Sequence, residues 1–272
     1  MAGGTDHWRL RATFEQVPEL YDRARPGYPG ELFDDLVALA GLREGGRLAE
    51  IGCGTGQATV PLAQRGLEIV CVELGERLAA IARRKLARFP KVEVVNAPFE
   101  SWEPRGGGFD AVVAFTAFHW VDPDVRYGKC ARILRDEGAL AVVATQHVLP
   151  AGGDPFWAEV QQDYDAVVPS DDNRPPPPPD TVGDLGGEIE ASGRFRNVAV
   201  RRYLWNVSYT ADEYVAVLDT YSGHRGALDE ETRARLYDRI HRRIEARPEQ
   251  KVTKAYLATL NVARRSNPAR AP

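Results

Sequence analysis

Glu50-Ile-Gly-Cys-Gly-Thr-Gly-Gln57 decides the fold reading of this 272-residue chain. Before it, Arg47 to Ile51 is a short apolar run that predicts a strand. After it, Ala58 to Gln64 predicts a helix. Gly52, Gly54 and Gly56 therefore lie on a strand-to-helix turn. Glycines there permit positive φ and let the backbone approach a ligand closely. The unpaired N–H groups opening the next helix suit an anionic group. The three glycines alone leave the ligand open.

Working outward, Glu68 to Glu73 predicts a buried strand centred on Ile69-Val-Cys-Val72. Glu76 to Phe89 predicts a helix with Leu78, Ile81, Ala82, Leu86 and Phe89 on one face. Strands follow at Val92 to Val95 and Phe109 to Phe115, then a helix at Asp124 to Leu134 and a strand at Ala139 to Thr145. Upstream, Glu31 to Leu42 is a helix stopped near Gly41, and a shorter one runs from Phe14 to about Arg25. Strands alternating with helices imply an α/β fold, a parallel sheet covered on both faces. Such sheets bind ligands beyond the carboxyl ends of their strands.

Spacing narrows the ligand. A dinucleotide fingerprint, GxGxxG, needs its third glycine where this chain has Gln57; the glycine falls one residue earlier, at Gly56. An acid, Glu50, stands two residues before the first glycine. A second acid, Glu73, ends the next strand, and its two acceptor oxygens suit a ribose diol.

These residues, with Tyr21-Asp-Arg-Ala-Arg-Pro-Gly-Tyr-Pro29, Val72-Glu-Leu74, Phe109-Asp110 and Phe118-His-Trp120, resemble the class I S-adenosylmethionine-dependent methyltransferases. Within them the chain is similar to the methyltransferase type 11 group, which includes trans-aconitate methyltransferase relatives. The resemblance covers about residues 14–146, and Thr220-Tyr-Ser-Gly-His-Arg225 is similar to actinobacterial small-molecule members.

The resemblance implies a Rossmann-like, seven-stranded, mostly parallel sheet with helical cap insertions. Phe195–Trp205 and Val252–Val262 would be its last two strands, forming an antiparallel edge. It implies S-adenosylmethionine as cofactor, held by Glu50, Gly52, Cys53, Gly54, Thr55, Gly56, Gln57, Glu73, Leu74, Ala97, Phe99 and Phe115. Tyr21 and Arg25 would cover it, the arginine pairing with its carboxylate and aromatic faces stabilising its sulfonium. Where such enzymes often place an adenine-binding Asp, this chain has Asn96-Ala-Pro-Phe99. Adenine contact then falls to backbone groups, Asn96 or Phe99.

Methyl transfer asks the protein to align the acceptor, and a base is needed only where the acceptor must lose a proton. His119, after the fourth strand, is the candidate base; in the competing reading Phe118-His-Trp120 is a packing element. Tyr28, His119, Trp120, His147 and Tyr221 are candidate substrate-pocket residues, with His147, His224 and Tyr21 as weaker base candidates. No Asn-Pro-Pro-Tyr or Asp-Pro-Pro-Tyr follows strand four, where Phe115-Thr-Ala-Phe118 stands. That absence and a net charge of −4 argue against nucleic acid as substrate. The leading expectation is a small molecule methylated on a hydroxyl or carboxylate oxygen. A nicotinamide-dependent oxidoreductase and a non-methylating protein of the same fold are the alternatives.

Cys53, Cys71 and Cys130 form no CxxC pair, which argues against a structural metal or disulfide framework and suits a reducing, cytoplasmic setting. The N-terminus shows no secretory pattern, and no apolar run reaches membrane-spanning length. Arg201-Arg202 and Arg242-Arg243 are read as solvated pairs. Four segments result: 1–30 as an N-terminal cap, 31–146 as the cofactor core, 147–193 as a Pro-rich insertion and substrate lid, and 194–272 with a helical insertion at 208–248. Within the insertion, Pro175 to Pro179 predicts a stiff polyproline II spacer. Asp229 is the predicted N-cap of a helix from Glu230 to Ala246, and Asp212 to Leu218 is another helix.

Overall fold

The computed structural model describes residues 15–106, 108–170 and 173–266. The readings made on residues 1–14, including a helix start at Phe14, lie outside the described residues. Seven strands, β1 (Arg47–Ile51), β2 (Glu68–Glu73), β3 (Val92–Asn96), β4 (Phe109–Phe115), β5 (Leu134–Val148), β6 (Phe195–Thr210) and β7 (Lys251–Arg265), form one sheet in the order β3-β2-β1-β4-β5-β7-β6. It is mostly parallel with an antiparallel end. β1 is parallel to β2, with Glu50 beside Cys71, and to β4, with Glu50 beside Val113. The order therefore reverses at β1 and β4, the switch point where α/β sheets bind ligands.

The chain divides into two compact units. Of the described residues, the sheet unit takes those within 27–145, 183–203 and 258–266; the aromatic unit takes those within 15–26, 146–182 and 204–257. β5, β6 and β7 each run through both.

In the sheet unit, α2 (Gly30–Leu39), α3 (Thr59–Gln64), α4 (Glu76–Leu86), α5 (Pro123–Ile133) and α8 (Gly186–Ala191) accompany the strands. Val112, Val113 and Ala114 of β4 are fully buried, as a central parallel strand covered on both faces requires. Ala49, Val112, Phe99, Trp102, Cys130 and Leu140 belong to one core cluster. Asn261 fastens the carboxyl-terminal strand to it: its Oδ1 accepts from Leu185 N at 3.0 Å and its Nδ2 donates to Val142 O at 3.3 Å.

The aromatic unit carries α1 (Pro18–Ala24), α6 (Phe156–Glu159), α7 (Gln161–Val167), α9 (Ala211–Leu218), α10 (Ser222–Arg225) and α11 (Glu230–Glu245). Its core cluster joins Phe156, Trp157, Tyr209 and Tyr214 to Leu236, Ile240, Ile244 and Val252. Caps fix the helix starts. Thr210 and Glu213 form a reciprocal capping box on α9, and Asp229 accepts from Thr232 N at 2.8 Å on α11.

Several boundaries differ from the sequence reading. β5 begins at Leu134 instead of Ala139, because Leu134 already pairs with Phe109 of β4; the polar Arg135-Asp-Glu-Gly138 stretch is an irregularity before Ala139 pairs with Ala111, with Glu137 at φ 60°. β6 runs on to Thr210, its half-exposed alternation hiding no break at Trp205. The described residues of the Pro-rich insertion 147–193 include three α-helices, and 183–203 groups with the sheet unit. The proline run is tied down, since Leu149 N donates to Pro177 O at 2.9 Å. Arg243 is not a solvated residue: it and Arg239 hold the buried Asp163 carboxylate of α7 against α11. Among the described residues no helix is long and apolar enough to cross a membrane.

Candidate functional site

The glycine loop opens directly from the buried end of β1. Gly52, Gly54 and Gly56 all adopt positive φ, at 64°, 58° and 88°. Gly52 has a second constraint, because a Cβ there would meet Ala117 Cβ at 2.7 Å. Its N–H donates to Val72 O at 2.8 Å, which ties the loop to the end of β2. The loop's path is thus closed to side chains from two directions.

Both acids stand at this switch point with different partners. Glu73 is buried, and its carboxylate oxygens accept from Gly54 N and Gly75 N, each at 2.8 Å. A carboxylate has about four lone-pair sites, so two backbone bonds orient it and leave acceptor capacity for a diol. Glu50 is 1% exposed and accepts from the Thr59 hydroxyl at 2.7 Å. Burial pushes its carboxyl up to about 7, with the Thr59 bond opposing and the nearby Glu73 charge adding to the rise. In this structure Glu50 braces the loop against α3.

Two atoms of the loop answer whether the cradle fits the expected cofactor. Thr55 Oγ1 and Gln57 Nε2 are buried without a hydrogen-bond partner. Buried polar groups are normally paired, so a polar ligand fits this loop. The donor set suits S-adenosylmethionine: positive-φ glycines for close approach, two acids near a cationic molecule, and Glu73 for a ribose. Cys53 and Cys71 are buried thiols pushed up, Cys53 by its Cys71 neighbour and by burial, so neither is a nucleophile.

The third edge of the switch point departs from the expected cofactor contacts. Asn96 Nδ2 donates to Glu73 O and Leu74 O, both at 2.9 Å, so its amide holds the β2–α4 turn. Phe99 is a correction: its ring is 2% exposed and packs with Trp102 in the core, with Lys129 Nζ 5.4 Å from its centroid. It offers no face to an adenine. Phe115 likewise packs against Phe33 and Tyr28. Leu74 and Ala97 are half-buried beside the turn.

After β4, Thr116 takes φ 52°, rare for a β-branched residue. Its N–H donates to Val143 O at 2.7 Å, and its hydroxyl is 3.2 Å from the Tyr28 hydroxyl. The sequence reading missed Thr116, and only its place directly after a predicted strand signalled it. Strain of this kind persists where surroundings over-determine it and clusters at functional sites. The 3₁₀ turn Phe118–Trp120 follows. Phe118 is core, whereas the His119 ring is exposed and 4.8 Å from the Trp120 ring. The structure thus brings Tyr28, His119 and Trp120 into the sheet unit with the glycine loop.

Tyr21, Arg25, His147, Tyr221 and His224 belong to the aromatic unit. Arg25 donates to Thr220 O at 3.0 Å, and its guanidinium lies 5.1 Å from the Tyr21 ring and 4.3 Å from the Tyr221 ring. Lys254 was not foreseen. It is 2% exposed, donates to the Tyr221 hydroxyl at 2.9 Å, and lies within 5.7 Å of the Trp157, Tyr214, Tyr221 and Tyr256 rings. A lysine inside a strand of mixed propensity gave no signal of that cage. His224 Nε2 is 3.0 Å from the Tyr164 hydroxyl, and burial lowers its imidazole to about 4.

Residues 49–142 match the family model described as a methyltransferase domain. An uncharacterized methyltransferase of Mycobacterium tuberculosis is 34% identical over 134 residues, 49% of this chain and 52% of the relative. A malonyl-[acyl-carrier protein] O-methyltransferase of Geobacter sulfurreducens is 32% identical over 130 residues, 47% of this chain and 46% of the relative. The chain thus spans about half the length of the curated relatives it matches. Among solved structures, a protein described as a type II methyltransferase from Anaeromyxobacter dehalogenans shares the fold, with a TM-score of 0.60, 21% identity, and 88% and 97% of the two chains covered.

Proposed function

We propose that this chain, whose residues 49–142 match a methyltransferase domain, is a class I S-adenosylmethionine-dependent methyltransferase that methylates a small molecule on a hydroxyl or carboxylate oxygen. The observation that carries the reading is the Glu73 carboxylate, fixed by Gly54 N and Gly75 N beside a loop whose Thr55 and Gln57 polar atoms lack partners. Glu73 would take the ribose diol, and the loop N–H groups the polar end of the cofactor. When bound, S-adenosylmethionine supplies an electrophilic methyl on a sulfonium centre.

His119 would take the proton of a hydroxyl acceptor; its exposed ring after β4, on the same unit as the loop, supports that reading. Tyr28 and Trp120 would hold the acceptor against that ring. Oxygen as the acceptor atom draws support from the named activity of the Geobacter relative. Isothermal titration with S-adenosylmethionine and S-adenosylhomocysteine tests the cofactor: binding at low micromolar concentration is expected, and none at high micromolar concentration overturns the reading. Preference for a nicotinamide dinucleotide in the same titration would move the chain to the oxidoreductase alternative. On any turned-over acceptor, His119→Ala should lose rate and its pH dependence; intact turnover across pH removes the base.

A further inference from the structure

The chain leaves β1 and β4 side by side. Ile51 pairs with Ala114, so residues 52–54 and 115–117 run out of the sheet as neighbours. Packing agrees: a Cβ on Gly52 would stand 2.7 Å from Ala117 Cβ. Thr116 is therefore next to the point where the β4 turn touches the glycine loop. It is held there at φ 52°, with its N–H donating to Val143 O at 2.7 Å. A glycine would carry that backbone without strain, whereas a β-branched residue carries it at a cost. What the strained backbone supports is a side chain, and threonine differs from a valine of the same shape by its hydroxyl.

That hydroxyl is 3.2 Å from the Tyr28 hydroxyl, and both residues are half-buried, so neither is closed off from a ligand. The Tyr28 ring is set in turn by Phe115 and Phe33, at centroid distances of 5.0 and 6.2 Å. A hydroxyl has one donor and two acceptor lone pairs. Whichever of the two donates, Thr116 Oγ1 keeps a lone pair for a further donor. On one side of this pair Glu73 stands ready for the ribose; on the other, His119 follows three residues after Thr116. Between the ribose and the acceptor lies the group to be transferred, a methyl on a sulfonium. Its hydrogens are polarised by the positive sulfur and can donate weakly to oxygen.

We propose that Thr116 Oγ1, oriented by the Tyr28 hydroxyl, accepts from the methyl of S-adenosylmethionine, and that this atom lets the chain tell the cofactor from its demethylated product. The inference rests on the methyltransferase reading and adds to it the residue that senses the methyl. S-adenosylhomocysteine lacks both the methyl and the positive charge, so it offers this oxygen nothing. Tyr28 is the positioning residue: without its hydroxyl, the Thr116 hydroxyl loses the partner that fixes it.

Isothermal titration of S-adenosylmethionine and S-adenosylhomocysteine into the full chain reads the ratio of their affinities. Thr116→Val keeps the shape and the β-branch, and so the backbone strain, but removes the oxygen. Its ratio should shift about two- to fivefold toward S-adenosylhomocysteine, the range for a C–H···O contact. Thr116→Ser keeps the oxygen and should hold the parent's ratio, and Tyr28→Phe should shift it in the same direction as Thr116→Val. Circular dichroism melts verify each fold, and Tyr28→Phe decides if Thr116→Val does not fold. A ratio unchanged in the folded variants, even where both affinities fall together, marks a structural pair and overturns the proposal. An equal shift in Thr116→Ser does the same. Binding of both ligands with an unmoved ratio removes only this inference, whereas binding of neither to the parent chain removes the methyltransferase reading with it.

Discussion

In the sheet unit two buried acids flank the glycine loop, Glu50 and Glu73, held by the Thr59 hydroxyl and by loop N–H groups. In the aromatic unit Lys254 is a buried cation held by four ring faces and a phenol, and Arg25 lies against two of the same unit's rings. Among the described residues neither Glu50 nor Lys254 is held by a side chain of opposite charge; Glu50 meets the cost of burial by keeping a proton, and Lys254 by ring faces and a phenol. Buried charge is expensive, and the two units meet that cost in different ways. S-adenosylmethionine carries a sulfonium and an ammonium and suits the acids of the sheet unit.

The largest effect should come from breaking the backbone half of this contrast. Gly52→Ala places a methyl 2.7 Å from Ala117 Cβ at φ 64°. Left-handed strain costs about 1–2 kcal/mol and overpacking about 1–3 kcal/mol, so a loss of about 2–5 kcal/mol is expected in urea unfolding. Gly56→Ala, whose Cβ would meet only Leu86 Cδ1 at 3.4 Å, should lose clearly less. Equal losses would mean that packing on Ala117 does not set the loop.

Glu50 sharpens the same side through pH. Its native carboxyl titrates near 7, above the ordinary 4.5, so the native state keeps a proton that the unfolded chain has already released. Stability from this group is therefore full below pH 4.5 and lost as pH rises to 7, by about 3 kcal/mol at ~1.4 kcal/mol per pH unit. Glu50→Gln keeps an acceptor for Thr59 and removes the titration. Relative to the parent, it should gain about 3 kcal/mol between pH 5 and pH 8 in denaturant unfolding. Parallel stability curves would place the proton elsewhere.

Next in size is Glu73→Ala, which should weaken S-adenosylmethionine by about 1.5–3 kcal/mol, the range for a hydrogen bond to a charged group. Calorimetric titration reads it directly, and unchanged affinity would take the ribose away from Glu73.

The two units were not equally legible. Glu50, the three glycines and Glu73 lie within two strands and one loop, so spacing alone exposed the cradle, and alternation exposed the sheet around it. Phe99 misled because a motif position says nothing about which way a ring faces; packing with Trp102 decided that. Thr116 was silent because its strain is a backbone fact. The aromatic unit's cluster gathers His147, Trp157, Tyr214, Tyr221 and Lys254 from segments over a hundred residues apart, with no periodic signature. Its charge was hidden for the same reason, since a lone lysine in an apolar strand reads as solvated until its neighbours are known.

Lys254→Met tests that half and should have the smallest effect on stability. The substitution removes the hydrogen bond to Tyr221 and the ring–cation contacts, together worth a few kcal/mol when desolvated. It also removes the cost of keeping an ammonium out of water, and replacing buried ions with apolar side chains of similar length is often neutral or stabilising. The terms nearly cancel, so a change of about 1 kcal/mol or less is expected in urea unfolding at pH 7. A loss above about 3 kcal/mol would mean that the ammonium organises the rings as a structural centre. It would then be kept for the fold, as the centre on which the rings of the aromatic unit pack.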